Sequence, residues 1–227
     1  MPPAWIIELG DRWPQLQLFN CYGLTEFTSV SHVLDPEHAL VRGESVGSPV
    51  EGVRHLIAGP DGEPLPLGET GEVWLSGPMR MAGYWRAAAA TREVFRGQWL
   101  RTGDLGSIDD DFLALLGRAA ETINRGGEKI YVAPVEAALS ELSSVVDVAV
   151  VGAPHPVLNE RVVAWVVTRG GASFDEELDR RQLSDRIADY AVPEAFVLAD
   201  ELPRNAAGKL DRAELRAEAA RLFGGGE

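Results

Sequence analysis

Cysteine is nearly missing from this chain of 227 residues: Cys21 stands alone. One thiol excludes an intrachain disulfide framework and a thiolate metal site. It points to a reducing, cytoplasmic setting, and Cys21 itself reads as a small buried side chain. Long apolar runs are missing too, since none approaches the roughly 20 residues a membrane helix needs. The opening MPPAWIIELGDRWP has no basic region and no small-residue cleavage site, so no signal peptide is expected. Positive charge is scarce: 21 Lys and Arg stand against 35 Asp and Glu, a net charge of −14 spread over both halves. Such a surface argues against nucleic acid or a membrane as the main partner. Any phosphate must then be held by local groups. Lysine is rarer still, because 19 of the basic residues are Arg. Lys129 and Lys209 both sit beside glycines in loop-like sequence. They are either ordinary surface residues or sites that need a compact charge on a flexible stem.

What is present is the composition of a globular protein, 45% hydrophobic and 25% charged. Residues 4–9 read as the end of an amphipathic helix and QLQLFNCYG as a short strand. VRHLI and EVWLS read as strands around a Gly/Pro-rich turn, RAAAATREVF as a helix, and SIDDDFLALLGR as a hairpin turning at Asp109–Asp111. Short strands with Gly/Pro turns up to about residue 117 suggest a barrel-like subdomain. After Gly117–Arg118 the texture changes. APVEAALSEL, DEELDRRQLSDRIADY and DRAELRAEAARLF read as helices, the last with Asp211 and Glu214 as a capping box. VVDVAVVGA, VVAWVVT and AFVLAD read as strands. The expected division is residues 1–117 and 118–227, the second a compact α+β domain ending in a GGGE tail.

Four segments carry candidate chemistry. In NCYGLTE (20–26), Gly23 permits a tight turn after a strand. Tyr22, Thr25 and Glu26 then stand at its mouth, offering an aromatic face, a hydroxyl and a carboxylate for Mg²⁺. The same turn also reads as a helix start capped by Thr25. In LRTGDL (100–105), Gly103 lets a ligand approach the backbone, and Asp104 could accept from vicinal hydroxyls. Asp104 could equally be a turn or cap residue. INRGGEKI (123–130) places Gly126 and Gly127 in either a ligand-approaching loop or a hairpin turn. In LPRNAAGKLDR (202–212), Lys209 follows a glycine just ahead of a helix. There it is either a solvated loop lysine or a charge able to neutralise a phosphoryl transition state.

Taken in order, and with GEVWLSGPMRMAGYW at 71–85, these motifs resemble the adenylate-forming (AMP-binding) superfamily, of the acyl-CoA synthetase or acid–CoA ligase type. The resemblance covers nearly the whole chain. It implies a mixed α/β fold: a β-barrel-like remnant of the large adenylating domain, then a small mobile C-terminal domain. It implies ATP/AMP, Mg²⁺ and CoA as cofactors and a carboxylic acid as substrate. By resemblance Tyr22 stacks on adenine beside Gly23, Thr25 contacts the α-phosphate and Glu26 helps hold Mg²⁺. Asp104 binds the ribose, Arg118 contacts the nucleotide, and Lys209 bridges the acid and the α-phosphate. Gly126 and Gly127 line the pantetheine path.

The sequence departs from the family pattern in three places. Ala120 stands where the pivot residue is usually Asp or Lys, which puts the usual domain rotation in doubt. Asn205 stands where Thr is usual. The Ser/Thr/Gly-rich phosphate loop and most of the acid pocket have no counterpart. A truncated chain, working with a missing N-terminal half, is therefore expected. Phe27, Thr28 and Ser29 either line the floor of the acid pocket or simply pack. Two alternatives stay open: an adenylation module that loads a carrier protein, and a non-catalytic relic or partner-binding subunit.

Overall fold

The structure, a computed structural model, describes residues 3–39, 41–169 and 174–224, with the backbone alone for 3–7. The end of the GGGE tail lies outside the described residues. The chain forms two compact units, residues 1–119 and 120–227.

The first unit opens with helix α1 (Pro3–Arg12), strand β1 (Asn20–Tyr22), a single 3₁₀ turn (Thr25–Phe27), β2 (His32–Leu34) and the short α2 (Pro36–Ala39). Then come β3 (Ser48–Pro49), β4 (Arg54–Ala58), β5 (Gly71–Ser76), α3 (Ala88–Val94), β6 (Phe95–Arg96), β7 (Trp99–Asp109) and β8 (Phe112–Arg118). Strands β1-β2-β3 make one antiparallel sheet. A second runs β4-β5-β7-β6, with β8 also paired to β7. The β7–β8 turn lies where expected, and Asp110 and Asp111 both take positive φ (47° and 69°), as a tight hairpin requires. The core gathers Phe27, Val53, Ile57, Val73, Leu75, Leu100, Ile108 and Leu113.

One expectation is corrected here, and for Phe27 the packing alternative holds. Cys21 is exposed, because β1 is an edge strand and Cys21 points away from the face that carries Asn20 and Tyr22. Phe27 packs at the centre of the core, with no exposed surface, while Thr28 and Ser29 are exposed.

The second unit contains β9 (Ile123–Arg125), β10 (Glu128–Ile130), α4 (Val132–Ser140), β11 (Val145–His155), β12 (Asn159–Thr168), α5 (Glu176–Ser184), β13 (Ala195–Leu198) and α6 (Arg212–Phe223). Its sheet runs β10-β9-β12-β11, and β13 lies parallel to β12. Alternation splits the long strands between two cores. Val148, Val150, Val162, Ala164 and Val166 pack with residues of α4 and α5. Ala149, Val151, Val163 and Trp165 pack with Leu215 and Ala219 of α6. Burial on both faces explains why VVDVAVVGA and VVAWVVT read as unbroken apolar runs. The helix expected over 175–190 stops at Ser184; residues 189–191 form a separate 3₁₀ turn. The capping box is half made. Asp211 accepts from the Glu214 N–H, but its own N–H goes to Pro203 C=O. Among the described residues no helix is long and apolar enough to cross a membrane.

Candidate functional site

The site in the first unit is built by one turn and one bulge. After β1 the chain folds back on itself: the Ser31 N–H donates to Tyr22 C=O at 2.8 Å and the Ser29 N–H to Leu24 C=O at 3.2 Å. A Cβ on Gly23 would stand 1.4 Å from Ser29 O, so only glycine fits there. Thr25 opens the 3₁₀ turn without capping it, since Leu24 occupies the cap position with no side-chain cap. The turn is tied to the segment after β5. Met81 N–H donates to Glu26 C=O at 2.8 Å, Thr28 Oγ1 to Met79 C=O at 2.7 Å, and Tyr84 Oη to Glu26 Oε1 at 2.8 Å.

The bulge lies in β7. Glu72 faces Leu105 and Trp74 faces Arg101, so Val73 alone stands opposite Thr102, Gly103 and Asp104. An extra stretch of this kind re-aims side chains at sheet positions near sites. Thr102 Oγ1 donates to Val73 C=O at 2.8 Å and accepts from Asp104 N–H at 3.0 Å. Gly103 takes φ +73°, a conformation that favours glycine. Asp104 is thus a mid-strand residue on the buried phase of β7, 8% exposed, and neither a turn nor a cap. Its Oδ2 accepts from Tyr22 Oη at 2.5 Å, and its Oδ1 pairs with Arg118 Nε at 3.0 Å. Arg118 belongs to the first unit as the last residue of β8, directly across from Asp104.

Burial first, then the Asp104 charge and hydrogen bond, push the Tyr22 phenol well above its usual range. Burial, then the hydrogen bond to Glu26, raise that of Tyr84. An open cavity of about 300 Å³ is lined by Leu24, Glu26, Glu72, Thr102, Gly103 and Arg118, among others. Three of the sequence motifs therefore meet at its wall. A second cavity of about 380 Å³ opens beside His55 and is mostly apolar; it contains none of the motif residues. No cluster of three metal-ligating side chains occurs among the described residues. Glu26, Glu72 and Glu93 are the carboxylates that line this cavity.

In the second unit, Gly126 and Gly127 form the two-residue turn of the β9–β10 hairpin, with φ of 62° and 100°. The hairpin alternative is the local structure, and Gly127 has open space around its Cβ position. The loop before α6 is organised by Asn205, whose Oδ1 accepts from Ala207 N–H at 3.0 Å and Lys209 N–H at 3.1 Å. Those bonds explain how Asn serves where Thr was expected. Lys209 is exposed at the end of this loop.

Three features escaped the sequence. Glu72 and Tyr84 lie in the quoted 71–85 segment, but nothing there marks their partners. The third is a chain that runs from the buried Ser31 and His32 to the exposed Asp111: Ser31 Oγ to His32 Nδ1 at 3.0 Å, His32 Nε2 to His55 Nδ1 at 2.9 Å, and His55 Nε2 to Asp111 Oδ1 at 3.0 Å. An ionised Asp111 can only accept, so His55 donates its Nε2–H to it; while both histidines are neutral, His32 donates to His55, and the Ser31 hydroxyl, which also lies 3.2 Å from Tyr22 C=O, donates to His32. Burial and the neighbouring His55 lower the pKa of His32 to about 3. Burial lowers that of His55 against the pull of Asp111. No sequence signal links positions 32, 55 and 111.

Comparison with known proteins agrees with this architecture. Residues 1–85 match the AMP-binding enzyme family, and residues 134–209 match the AMP-binding enzyme C-terminal domain. The chain is 39% identical over 202 residues to a 2-succinylbenzoate–CoA ligase of Geobacillus kaustophilus (strain HTA426), covering 88% of this chain and 41% of that protein. Among solved structures, the amide bond synthetase McbA of Marinactinospora thermotolerans superposes with a TM-score of 0.89 at 35% identity, over 96% of this chain and 45% of that one. The o-succinylbenzoate CoA synthetase of Bacillus subtilis, in complex with its acyl-adenylate intermediate, gives 0.87 at 32% identity, over 95% of this chain and 44% of that one. The chain therefore belongs to the adenylate-forming (AMP-binding) enzyme family and corresponds to its C-terminal portion. It spans about two fifths of the length of the curated relatives it matches.

Proposed function

We propose that this chain supplies the nucleotide-holding face and the mobile lysine-bearing domain of an ATP-dependent carboxylic acid ligase that forms an acyl-adenylate and passes the acyl group to CoA. The observation that carries the reading is the meeting of Glu26, Thr102–Gly103 and Arg118 at one cavity. Its size lies at the small end of ligand pockets.

Glu26 and Arg118 at the cavity wall, with Tyr22, Thr25 and Asp104 on the elements beside it, suit a nucleotide. The Asp104 carboxylate uses one lone pair on each oxygen for Tyr22 and Arg118 and keeps the others for the ribose hydroxyls. Tyr22, locked by that bond, offers its ring to adenine beside Gly23. Arg118 adds positive charge at the rim, and Thr25, exposed on its turn, faces the α-phosphate. When bound, Mg²⁺ would neutralise phosphate charge, with Glu26 as its protein ligand.

In the first half-reaction an oxygen of the acid's carboxylate attacks the α-phosphorus. The bond from phosphorus to the pyrophosphate oxygen breaks, and pyrophosphate leaves. Lys209 supplies a cation to the pentavalent phosphoryl group as charge builds. In the second, the CoA thiol gives up its proton, sulfur attacks the acyl carbon and AMP departs. The Gly126–Gly127 turn offers bare backbone to the pantetheine arm.

The test is product analysis. With ATP, Mg²⁺, CoA, an N-terminal segment of the family and a panel of acids, one acid class should give AMP, pyrophosphate and a thioester in equal amounts. AMP without a thioester would remove CoA as the acceptor. A second reading, in which an amine takes the acyl group, is favoured by the likeness to an amide bond synthetase. It predicts an amide when an amine replaces CoA. A carrier protein bearing phosphopantetheine is the third acceptor to include.

A further inference from the structure

The segment 71–85 has no role in the chemistry above, yet the Glu72 carboxylate accepts four hydrogen bonds. Its Oε2 accepts from Trp74 Nε1 at 3.0 Å, Arg101 Nε at 3.0 Å and Arg101 Nη2 at 2.9 Å. Its Oε1 accepts from the Gly103 N–H at 3.2 Å. The side chain is 17% exposed and lines the cavity.

Three donors on Oε2 fix the carboxylate plane, which leaves Oε1 fixed under Gly103. That N–H needs a partner. The bulge takes residues 102–104 out of the β5–β7 ladder, and the half-buried Gly103 N–H, left without a strand partner, finds its acceptor in Glu72. Glu72 is therefore what holds Gly103 at φ +73°. The next residue along the bulge is Asp104, whose direction depends on that turn.

We infer that Glu72 is a positioning residue that sets ribose selectivity: by anchoring the Thr102–Gly103–Asp104 bulge, it aims the Asp104 carboxylate at vicinal hydroxyls. The inference rests on the reading of Asp104 as the ribose-binding group. A residue that only supports the fold would weaken all nucleotides alike, whereas a residue that aims Asp104 changes the preference for the diol.

The experiment measures equilibrium binding of AMP and 2′,3′-dideoxy-AMP to the 227-residue chain and its variants. For the parent chain, AMP should bind at least about tenfold more tightly, the worth of charge-assisted hydrogen bonds to two hydroxyls. Glu72→Gln keeps its amide oxygen on the Arg101 and Trp74 donors and turns its N–H₂ against the Gly103 N–H, which frees the bulge. The ratio should fall to within about twofold of that of Asp104→Asn, with little change in dideoxy-AMP affinity. If Glu72→Gln does not fold, Arg101→Gln decides. It removes two of the three Oε2 donors and should give an intermediate ratio. Full retention of the ratio in the decisive variant overturns the positioning role and leaves the nucleotide reading standing. A parent chain that does not tell the two ligands apart overturns the ribose role of Asp104, and this inference with it.

Discussion

Gly23 and His32 show how differently two residues of the first unit reveal their roles. Gly23 was legible as a turn glycine, but only the structure shows that the returning chain touches it. Gly23→Ala must push the Ser29 carbonyl aside. It should cost about 3 kcal/mol, read as a lower urea midpoint for the first unit. His32 was illegible, because a lone histidine in an apolar stretch carries no sign of a second histidine 23 positions on. In the folded chain its pKa of about 3 lies well below the ordinary imidazole value of 6.5. The unfolded chain therefore binds the extra proton between those pH values, and stability falls as pH drops through that window. The stability of the first unit should fall by about 2 kcal/mol between pH 7 and pH 5 from His32 alone, and His55 should add to the fall. Urea melts at the two pH values check this, and His32→Gln should flatten the slope.

Strands β11 and β12, both buried on two faces, and helix α6, with its Asp211 cap, could be read directly because their patterns are strong. The β7 bulge could not. LRTGDL holds a glycine that suggests a turn, and only the mismatch of register with β5 turns it into a kink within a strand. Helix α5 was overread because polar residues continue past Ser184 without an apolar stripe to hold them. Helix α6 is held in place by a network the sequence hides. Arg212 pairs with Glu136 at 2.7 Å and Glu121 at 3.0 Å and donates to Val150 C=O at 3.0 Å. Four residues on, Arg216 donates to Ala120 C=O at 2.9 Å. Residues 120 and 121, which open the second unit, are thus tied to α6 even though Ala120 has no polar side chain of its own. Arg212→Ala strands two carboxylates that keep some access to water. It should destabilise the second unit by about 2–3 kcal/mol, followed through the fluorescence of buried Trp165.

The two units are separate contact domains that carry different parts of one proposed reaction: Tyr22, Glu26, Asp104 and Arg118 in the first, Gly126, Gly127 and Lys209 in the second. Family, fold class and the order of the motifs were legible because five motifs fall in sequence in one chain. The acid was not: the chain spans about two fifths of its relatives' length, and the residues it offers for the pocket floor, Phe27, Thr28 and Ser29, read equally well as ordinary packing. Lys209 is proposed to serve phosphoryl chemistry at the α-phosphate, and Lys129, the chain's other lysine, is its control. Acid-dependent exchange of labelled pyrophosphate into ATP should be measured for the chain with an N-terminal segment of the family, and for Lys209→Ala and Lys129→Ala. Both lysines are exposed, so neither change should alter folding. Exchange is expected in the parent and in Lys129→Ala, with a loss of at least about a hundredfold in Lys209→Ala. Equal exchange in all three, or none from a folded parent with any acid, would contradict it.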